Sequence, residues 1–337
     1  MNILVTGGFG FIGSNLIKKL IKNKKYNILN IDKITNSSMP ESLDSIKKSA
    51  NYKFIKNDIC NFNSLEKIIN NFKPNLVIHL AAESHVDNSI ESPSSFINTN
   101  IIGTYNLLET LSKYITKFPN KKKKFKFIHI STDEVYGSLK KNSKSSKEHS
   151  SFLPNSPYSA SKASSDLLVR AWNKTYDFPT ITTNCCNNYG PYQFPEKMIP
   201  KIIRSILLNK KITVYGNGMN IREWIHVDDH IRAIIQILKK GKSGSTYNIG
   251  SGFEINNINL TKKICMYLDK KFRPKKSYKN LITYVKDRKG HDYRYSLNSN
   301  KIFNELNFKT KVNFEKGITS TIEWYFENKK WLFQKKI

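Results

Sequence analysis

Residues 6–13 read Thr6-Gly7-Gly8-Phe9-Gly10-Phe11-Ile12-Gly13, and this stretch decides the fold. The apolar run Ile3–Thr6 leads into it and predicts a strand, whereas Ile12–Ile21 has helical spacing and predicts a helix. Its three spaced glycines allow a tight turn and a close approach of the backbone to a pyrophosphate. The N-terminus of the helix adds free N–H groups and the positive end of its dipole. The stretch therefore predicts a strand–turn–helix unit that binds a dinucleotide.

Short apolar runs continue to alternate with helical segments over the first half of the chain. The predicted strands are Ile3–Thr6, Asn27–Ile31, Tyr52–Lys56, Leu76–Ala81, Phe125–Ser131 and Thr180–Cys185, and the predicted helices are Ile12–Ile21, Leu65–Phe72, Phe96–Leu111 and Tyr158–Tyr176. Apolar strands separated by helices indicate an α/β fold with a doubly wound parallel sheet of the Rossmann type. We expect a cofactor-binding domain with the catalytic residues over 1–188. Residues 189–337 are expected to form mainly a smaller C-terminal substrate-binding lobe, with some segments returning to the first domain.

An acidic residue indicates which dinucleotide is bound. Asp32 lies 19 residues after Gly13, at the end of the second predicted strand. A carboxylate there accepts hydrogen bonds from the adenosine ribose and repels a 2′-phosphate, which favours NAD over NADP. Lys33 beside it weakens this preference. Asp58 and Ile59, at the end of the third strand, are placed to contact adenine.

Tyr158 and Lys162 are four residues apart and share one face of the last predicted helix. A phenol with a pKa of about 10 is a poor base near neutral pH. A neighbouring ammonium group and a positively charged nicotinamide ring favour the phenolate, which predicts a lowered pKa for Tyr158. The tyrosinate can then remove a proton from a sugar hydroxyl while the carbon is oxidised.

The glycine turn, Asp32 and the Tyr158–Lys162 pair together resemble the extended short-chain dehydrogenase/reductase family, whose members interconvert nucleotide sugars. That resemblance implies 4-epimerases, dehydratases or decarboxylases. In the epimerases, the segment that corresponds to Ser131–Gly137 is similar to Ser-Ser-x-x-Val-Tyr-Gly. Here it reads Ser-Thr-Asp-Glu-Val-Tyr-Gly, and the adjacent acidic residues resemble the 4,6-dehydratase branch of the family.

The acidic pair suits a dehydration. Once C4 of the sugar is a ketone, the C5 proton is acidic, because the carbanion delocalises onto the new carbonyl. We expect Glu134 to be the base at C5 and Asp133 to be the acid that protonates the departing C6 hydroxyl, roles that require pKa values pushed apart. Thr132 is expected to hydrogen-bond the C4 oxygen. Hydride returns to C6, so NAD+ is expected to stay tightly bound and to be regenerated in each turnover.

The resemblance extends over nearly the whole chain and implies further site residues. The expected cofactor contacts are Gly7, Gly10, Phe11, Ile12, Gly13, Asp32, Lys33, Thr35, Asp58, Ile59, Leu80, Ala81, Ala82, Ser84, Thr99, Tyr158, Lys162 and Asn188. The expected substrate contacts are Ser84, Thr132, Asn187, Lys197, Met198, Tyr215, Arg222, Asn257, Asp287, Arg288 and His291. Amide side chains suit sugar hydroxyls, and basic side chains suit the pyrophosphate. Cys186 replaces the usual serine, and Lys289 replaces the usual proline.

The expected substrate is a nucleoside-diphosphate-glucose, in the first place dTDP-glucose. UDP- or CDP-glucose and a 4-epimerase activity are the alternatives within the family. A formal net charge of +30, with 56 Lys and Arg against 26 Asp and Glu, raises a non-enzymatic alternative, a basic RNA-binding scaffold on the same fold. The lysines are spread along the chain without interleaved aromatic residues, so we expect no nucleic-acid partner.

The remaining expectations concern assembly and location. Four cysteines show no metal or disulfide spacing, so we expect reduced thiols, no metal site and a cytoplasmic protein. No apolar run approaches the roughly 18 residues of a membrane span, so no membrane partner is expected. The resemblance implies a homodimer formed through helices such as Phe96–Leu111 and Tyr158–Tyr176. Deoxysugar biosynthesis is the expected use of the product.

Overall fold

A seven-stranded parallel sheet forms the centre of the computed structural model, which describes residues 1–333. The strands are β1 Asn2–Thr6, β2 Asn27–Asp32, β3 Tyr52–Lys56, β4 Leu76–His79, β5 Lys126–Thr132, β6 Thr180–Cys185, β7 Asn187–Tyr189, β8 Ile212–Tyr215, β9 Ile221–His226, β10 Thr246–Ile249, β11 Glu254–Asn256 and β12 Ile282–Val285. The helices are α1 Phe11–Leu20, α2 Phe62–Phe72, α3 Val86–Glu91, α4 Pro93–Phe96, α5 Gly103–Lys117, α6 Pro119–Lys122, α7 Pro157–Tyr176, α8 Met198–Leu207, α9 Val227–Lys240, α10 Asn257–Phe272, α11 Asn300–Leu306, α12 Phe314–Glu327 and α13 Lys329–Phe333.

The order of the strands across the central sheet is β10-β6-β5-β4-β1-β2-β3, and every pair in it is parallel. The chain moves outward from β1 to β3, then returns to the other side of β1 and moves outward again from β4. This reversal creates a crevice at the carboxyl ends of β1 and β4, where ligands bind in such folds. The predicted doubly wound parallel sheet is confirmed.

One predicted helix is longer than expected. The sequence predicted Phe96–Leu111, but the helical path starts at Pro93, passes through a π-helical turn at Ile97–Ile102 and ends at Lys117. Apolar periodicity finds the central part of such a helix and misses both ends, because a π turn shifts the residues that face the sheet.

Two layers of apolar side chains cover the central sheet because its strands are buried on both faces. On one face, α1 and α9 pack through residues such as Leu16 and Ile234. On the other face, α2, α5 and α7 contribute Leu65, Leu108 and Val169.

A third apolar cluster forms a separate packing unit, built from α8, α10 and α12 around residues such as Ile203, Leu260 and Ile318. The small sheets β11-β9-β7 and β12-β8 border it. All of this cluster except Met39 comes from residues after 188, and β10 from the same part of the chain joins the central sheet. The domain boundary at residue 188 stays a prediction.

The end of the described chain holds the segment 190–193 in place. Tyr325 OH donates to the carbonyls of Gly190 and Gln193 at 3.3 and 3.0 Å, and Trp331 Nε1 donates to the Gln193 carbonyl at 3.1 Å. Tyr192 adopts a φ of 70°, a left-handed conformation that costs free energy in a residue with a bulky side chain. Helices α12 and α13 therefore fix a strained turn, which we call the clamped turn, between β7 and α8.

Among the helices of residues 1–333, none combines the length and the apolar character that crossing a membrane requires.

Candidate active site

A cavity of about 360 Å³ opens at the crevice between β1 and β4. Every residue expected to contact the cofactor lines it, and so do the five residues expected to be catalytic, Thr132, Asp133, Glu134, Tyr158 and Lys162. Of the expected substrate contacts, those that line it are Ser84, Thr132, Asn187, Lys197 and Met198. The sequence thus identified residues that the fold brings into one continuous cavity.

The glycine turn is shaped for close contact. A Cβ on Gly7, whose φ is 73°, would lie 2.6 Å from the backbone nitrogen of Ala81 on the neighbouring chain segment. A Cβ on Gly13 would lie 2.4 Å from the Gly7 carbonyl. Since any larger residue would collide with backbone, these glycines keep the floor of the cavity open at the first turn of α1.

Asp32 organises the turn as well as facing the cavity. Its carboxylate accepts a hydrogen bond from the Phe9 amide at 3.0 Å and another from the Ile34 amide at 2.8 Å. Ser38 Oγ donates a third hydrogen bond to it at 3.0 Å, which leaves a lone-pair site on Oδ2 for a ribose hydroxyl. The role expected of Asp32 is therefore compatible with its structural one.

Lys33 is paired within the protein. Its ammonium group lies 3.2 Å from a carboxylate oxygen of Glu83 and donates to Thr99 Oγ1 at 2.9 Å. Lys33 was expected to weaken the preference for NAD through its positive charge. Glu83 offsets that charge, and this ion pair was not predicted because the two residues follow different strands.

A capping box fixes the start of α7, and it places Tyr158 in the first turn, beside the cavity. Ser156 Oγ accepts from the Ser159 amide at 3.1 Å, and Ser159 Oγ accepts from the Ser156 amide at 3.1 Å, so that the two serines form a capping box. Pro157 occupies the first turn, where its missing N–H costs nothing. Tyr158 is therefore held in the first turn and Lys162 in the second.

The acidic pair follows β5 directly. Thr132 Oγ1 accepts from the Glu134 amide at 3.3 Å and caps the short helix Asp133–Tyr136. The same hydroxyl donates to Asp133 Oδ1 at 3.1 Å. On the far side, the Tyr295 hydroxyl lies 3.4 Å from Glu134 Oε2 and donates to Asp292 Oδ2 at 2.5 Å. The two carboxyl groups thus have different partners although they are neighbours in sequence.

The surroundings push both acidic pKa values up, but to different extents. Burial raises the pKa of Asp133 well above its usual range, and the nearby Glu134 and Glu223 raise it further. Burial also raises the pKa of Glu134, but the positive charges of Arg288 and Arg222 offset part of that rise. Asp133 is therefore the group that keeps a proton and Glu134 the one that more readily gives it up, as expected for an acid and a base.

The prediction of a lowered pKa for Tyr158 is wrong for the protein alone. Burial raises the pKa of Tyr158 well above 10, and the negative charge of Glu134 adds to this rise. Burial also lowers the pKa of Lys162 to about 8, and its Nζ donates to the Ile130 carbonyl at 2.9 Å. A tyrosinate at this site therefore requires a further positive charge inside the cavity.

Six expected substrate residues lie outside the cavity lining. Four of them, with Asp87, form a cluster across the cleft. Tyr215 OH donates to Asp87 Oδ2 at 3.0 Å, and Arg288 Nη1 lies 3.6 Å from Asp87 Oδ1. His291 Nδ1 lies 2.6 Å from Asp287 Oδ1. Asp87 was not expected from the sequence, and it connects this cluster to α3.

The other two expected substrate residues that lie outside the cavity lining are Arg222 and Asn257. The guanidinium of Arg222 donates to the carbonyls of Ile221 and Asp292 at 2.8 and 2.9 Å and stacks on Tyr295. These donors are engaged in the protein, whereas the sequence analysis expected them to face a phosphate. Asn257 Oδ1 is buried without a hydrogen-bond partner.

Sequence reasoning missed several residues that line the cavity. They are Ile31, Ser37, Ser38, Asn57, Glu83, Ile130, Ser131, Cys185, Cys186, Gln193, Phe194, Glu196 and Trp224. Five of them, Ile31, Asn57, Ser131, Cys185 and Cys186, end or directly follow a predicted strand, so their position at the carboxyl edge could have identified them. Trp224 lies on β9 beside Arg222, the one residue of that strand expected at the substrate site. Within residues 1–333, no cluster of His, Cys, Asp and Glu side chains is arranged to hold a metal ion.

Known proteins resemble the chain over nearly its whole length. A family model described as GDP-mannose 4,6 dehydratase matches residues 4–321. A dTDP-glucose 4,6-dehydratase of Shigella flexneri is 48% identical, with 98% of this chain and 94% of that protein covered.

Two solved structures of the same kind of enzyme also superpose on the chain. The dTDP-glucose 4,6-dehydratase of Bacillus anthracis in complex with NAD has a TM-score of 0.87 and 42% identity, with 99% of both chains covered. The dTDP-glucose 4,6-dehydratase of Streptomyces venezuelae, with NAD and a TDP ligand, has a TM-score of 0.91 and 39% identity, with 98% of both chains covered.

Replacing Asp133 by Asn is expected to stabilise the protein at neutral pH. Because the folded pKa of Asp133 is raised, the native state keeps a proton that the unfolded chain has lost, and stability falls as pH rises above the unfolded pKa of about 4. The amide removes this penalty. We expect a gain of about 1 kcal/mol in urea unfolding at pH 8 and less at pH 4.

The exposed Asp44 provides the control, because Asp44→Asn changes the same charge at the surface. An equal gain in both variants, or a gain for Asp133→Asn that is larger at pH 4, contradicts the assignment of Asp133 as a buried protonated acid.

Proposed function

The chain belongs to the GDP-mannose 4,6 dehydratase family, and on this basis we propose that it is a dTDP-glucose 4,6-dehydratase that uses NAD+. The reaction converts dTDP-glucose to dTDP-4-keto-6-deoxyglucose and water. One observation carries the proposal, which is that Asp133 and Glu134 line the same cavity as the pair Tyr158 and Lys162. A 4-epimerase needs only Tyr158 and Lys162, because it eliminates no water.

The cofactor half of the cavity fits NAD+. Gly7, Gly10 and Gly13 line the cavity without side chains, so the backbone at the start of α1 is accessible to a pyrophosphate. Asp32 faces the position of a ribose, and Glu83 neutralises Lys33, which reduces attraction for an additional phosphate. A bound NAD+ would supply the acceptor for the C4 hydride and, once reduced, the donor of hydride to C6, and its positive ring would supply the charge that Tyr158 lacks in the protein alone.

The protein's own groups handle the protons. Tyr158 Oη takes the proton of the C4 hydroxyl, and Thr132 orients the C4 oxygen by a hydrogen bond. Glu134 removes the proton at C5, since the guanidinium groups near it keep its carboxylate available, and it returns that proton to C5 when hydride reaches C6. Asp133, which burial keeps protonated, donates to the departing C6 hydroxyl.

Basic and amide groups on the substrate side favour a nucleoside diphosphate. Lys197 and Asn187 line the cavity, and Arg288 is close enough to Glu134 to lower its pKa. Arg288 and Lys197 would bind the pyrophosphate, and Asn187 would bind sugar hydroxyls. We assign thymine as the base because the similar enzymes of Shigella, Bacillus and Streptomyces are dTDP-glucose dehydratases.

The proposal is tested by incubating the purified protein with dTDP-, UDP- and CDP-glucose and measuring product masses. Loss of one water from the dTDP sugar alone is the expected result. Loss of water from UDP- or CDP-glucose instead would change the assigned base. A product of unchanged mass and altered C4 configuration would identify a 4-epimerase, and a salt-sensitive complex with RNA without any turnover would favour the scaffold.

The variant Glu134→Gln separates oxidation from elimination. An amide cannot take the C5 proton, so C4 oxidation should proceed while dehydration falls by at least about 100-fold, within the range of a lost general base. The enzyme should therefore accumulate the absorbance of the reduced nicotinamide during a single turnover. Glu91→Gln, at an exposed position at the end of α3, is the control and should turn over normally. Normal turnover by Glu134→Gln would disprove the role of Glu134.

The protein is proposed to form a homodimer through α5 and α7. These two helices pack against each other, as shown by the ring contact between Tyr105 and Trp172, and they carry exposed apolar side chains. Tyr105 on α5 and Leu167 on α7 are among the latter, although helices of a monomer usually expose polar faces. A second copy of the chain would cover this surface.

The substitution Leu167→Glu should shift the protein from dimer to monomer in analytical ultracentrifugation, because a carboxylate would be buried without a partner. Met266→Glu on α10 is a matched control, since Leu167 and Met266 are both 55% exposed. A dimer that survives Leu167→Glu, or that dissociates equally with Met266→Glu, contradicts this interface.

We also propose a cytoplasmic location, where the unpaired cysteines would stay reduced, and cell fractionation tests it.

A further inference from the structure

A second carboxylate lies inside the protein behind the catalytic lysine. Asp166 follows Lys162 by one helical turn on α7, and both residues are only 4% exposed. The spacing of four residues puts both side chains on the helix face that packs against the sheet. A buried ammonium group and a buried carboxylate are costly separately and compensate each other when they are near.

Asp166 also makes polar contacts with side chains of β5 and β6, and β5 is the strand that Asp133 and Glu134 directly follow. Its Oδ1 lies 3.1 Å from His129 Nε2 on β5, and its Oδ2 accepts from Asn184 Nδ2 on β6 at 3.0 Å. The same amide nitrogen of Asn184 donates to the Thr132 carbonyl at 3.2 Å. One carboxylate thus connects the helix that carries Tyr158 to the end of the strand that carries Thr132.

We propose that Asp166 is a positioning residue, which supplies the buried counter-charge of Lys162 and holds α7 in register with the Thr132 end of β5. It acts through Lys162 and Thr132 and does not itself contact the substrate. The inference rests on the proposed function in one respect only, namely that Lys162 acts together with Tyr158.

The other titratable groups packed around the pair are uncharged near neutral pH. Burial lowers the pKa values of His79 and His129 well below their usual range, and it raises those of Cys185 and Tyr136 above theirs. Because His129 is neutral, its ring adds no positive charge beside the Asp166 carboxylate, and Lys162 is the cation that faces it. Asp133 and Glu134 lie beyond Thr132, on the cavity side.

Asp166 and Lys162 are therefore charged together over a limited pH range. Burial raises the pKa of Asp166 to about 6, and burial lowers the pKa of Lys162 to about 8, with Asp166 the largest influence that opposes the decrease. Below this range the carboxylate is protonated and above it the ammonium group is lost. Since a charged Lys162 favours the phenolate of Tyr158, removing the charge of Asp166 should lower the pH at which activity is lost.

The test compares Asp166→Asn with the native enzyme in two measurements. Competitive labelling of the full-length protein with trace acetic anhydride, quantified on the peptide that contains Lys162, gives the pKa of its amine. The pH profile of kcat gives the position of the alkaline limb. Loss of the counter-charge should lower both by about one pH unit, the smaller end of the effect of a neighbouring opposite charge. KM should change little.

Two further variants separate charge from packing. Asp166→Glu keeps the carboxylate, so Lys162 should titrate as in the native protein even if stability falls. Ser165→Ala removes an equally buried hydroxyl that lies 3.3 Å from His129 but carries no charge, and it should leave the pKa of Lys162 unchanged.

The proposal is overturned if Asp166→Asn leaves the pKa of Lys162 and the alkaline limb unchanged, or if Ser165→Ala shifts them equally. If Asp166→Asn does not fold, a shifted Lys162 pKa in Asp166→Glu overturns it and an unshifted one supports it. The labelling needs no substrate, so its failure is distinguishable from a failure of the proposed reaction, which the product masses report.

Discussion

The close approach of two backbone segments at the crevice is the constraint on which the site depends. Gly7 after β1 lies so near Ala81 after β4 that no side chain fits between them. These two strands are where the direction of winding reverses, so the crevice is open here to a ligand. The cofactor surface, the start of α1 and the small residues after β4 all follow from this contact. The acidic pair after β5 and the tyrosine of α7 lie at the next edge of the same opening.

Desolvation and neighbouring charges set the protonation state of each ionisable group in the cavity. Asp133 and Glu134 are adjacent in sequence, yet two guanidinium groups counter the effect of burial at Glu134, whereas at Asp133 neighbouring carboxylates add to it and Arg222 opposes it only weakly. Burial alone would make Tyr158 an ineffective base. The protein therefore leaves that part of the electrostatics to a positively charged ligand, and a cavity without the cofactor is not competent for the first proton transfer. This dependence links binding of the cofactor to the chemistry.

Local sequence patterns were sufficient for most of the sheet, and the family resemblance supplied most of the residues that line the cavity. The strands at Tyr52–Lys56 and Thr180–Cys185 have the predicted bounds, because aromatic and β-branched residues between turn-forming residues define them. Properties that arise from distant contacts could not be predicted. The ion pair of Lys33 with Glu83 and the link from Asp87 to Arg288 join segments far apart in sequence. The raised pKa of Tyr158 likewise depends on burial, which a helical motif does not report.

The clamped turn has a consequence for the order in which the molecule becomes functional. Its carbonyls are held by Tyr325 and Trp331, which follow every strand in sequence, while the turn itself leads from β7 to the cavity residue Lys197. On the ribosome, all strands of the central sheet are therefore translated before the aromatic residues that anchor this turn. A polypeptide that stopped before α12 would contain every strand of the sheet but would lack the contacts that anchor this rim of the cavity.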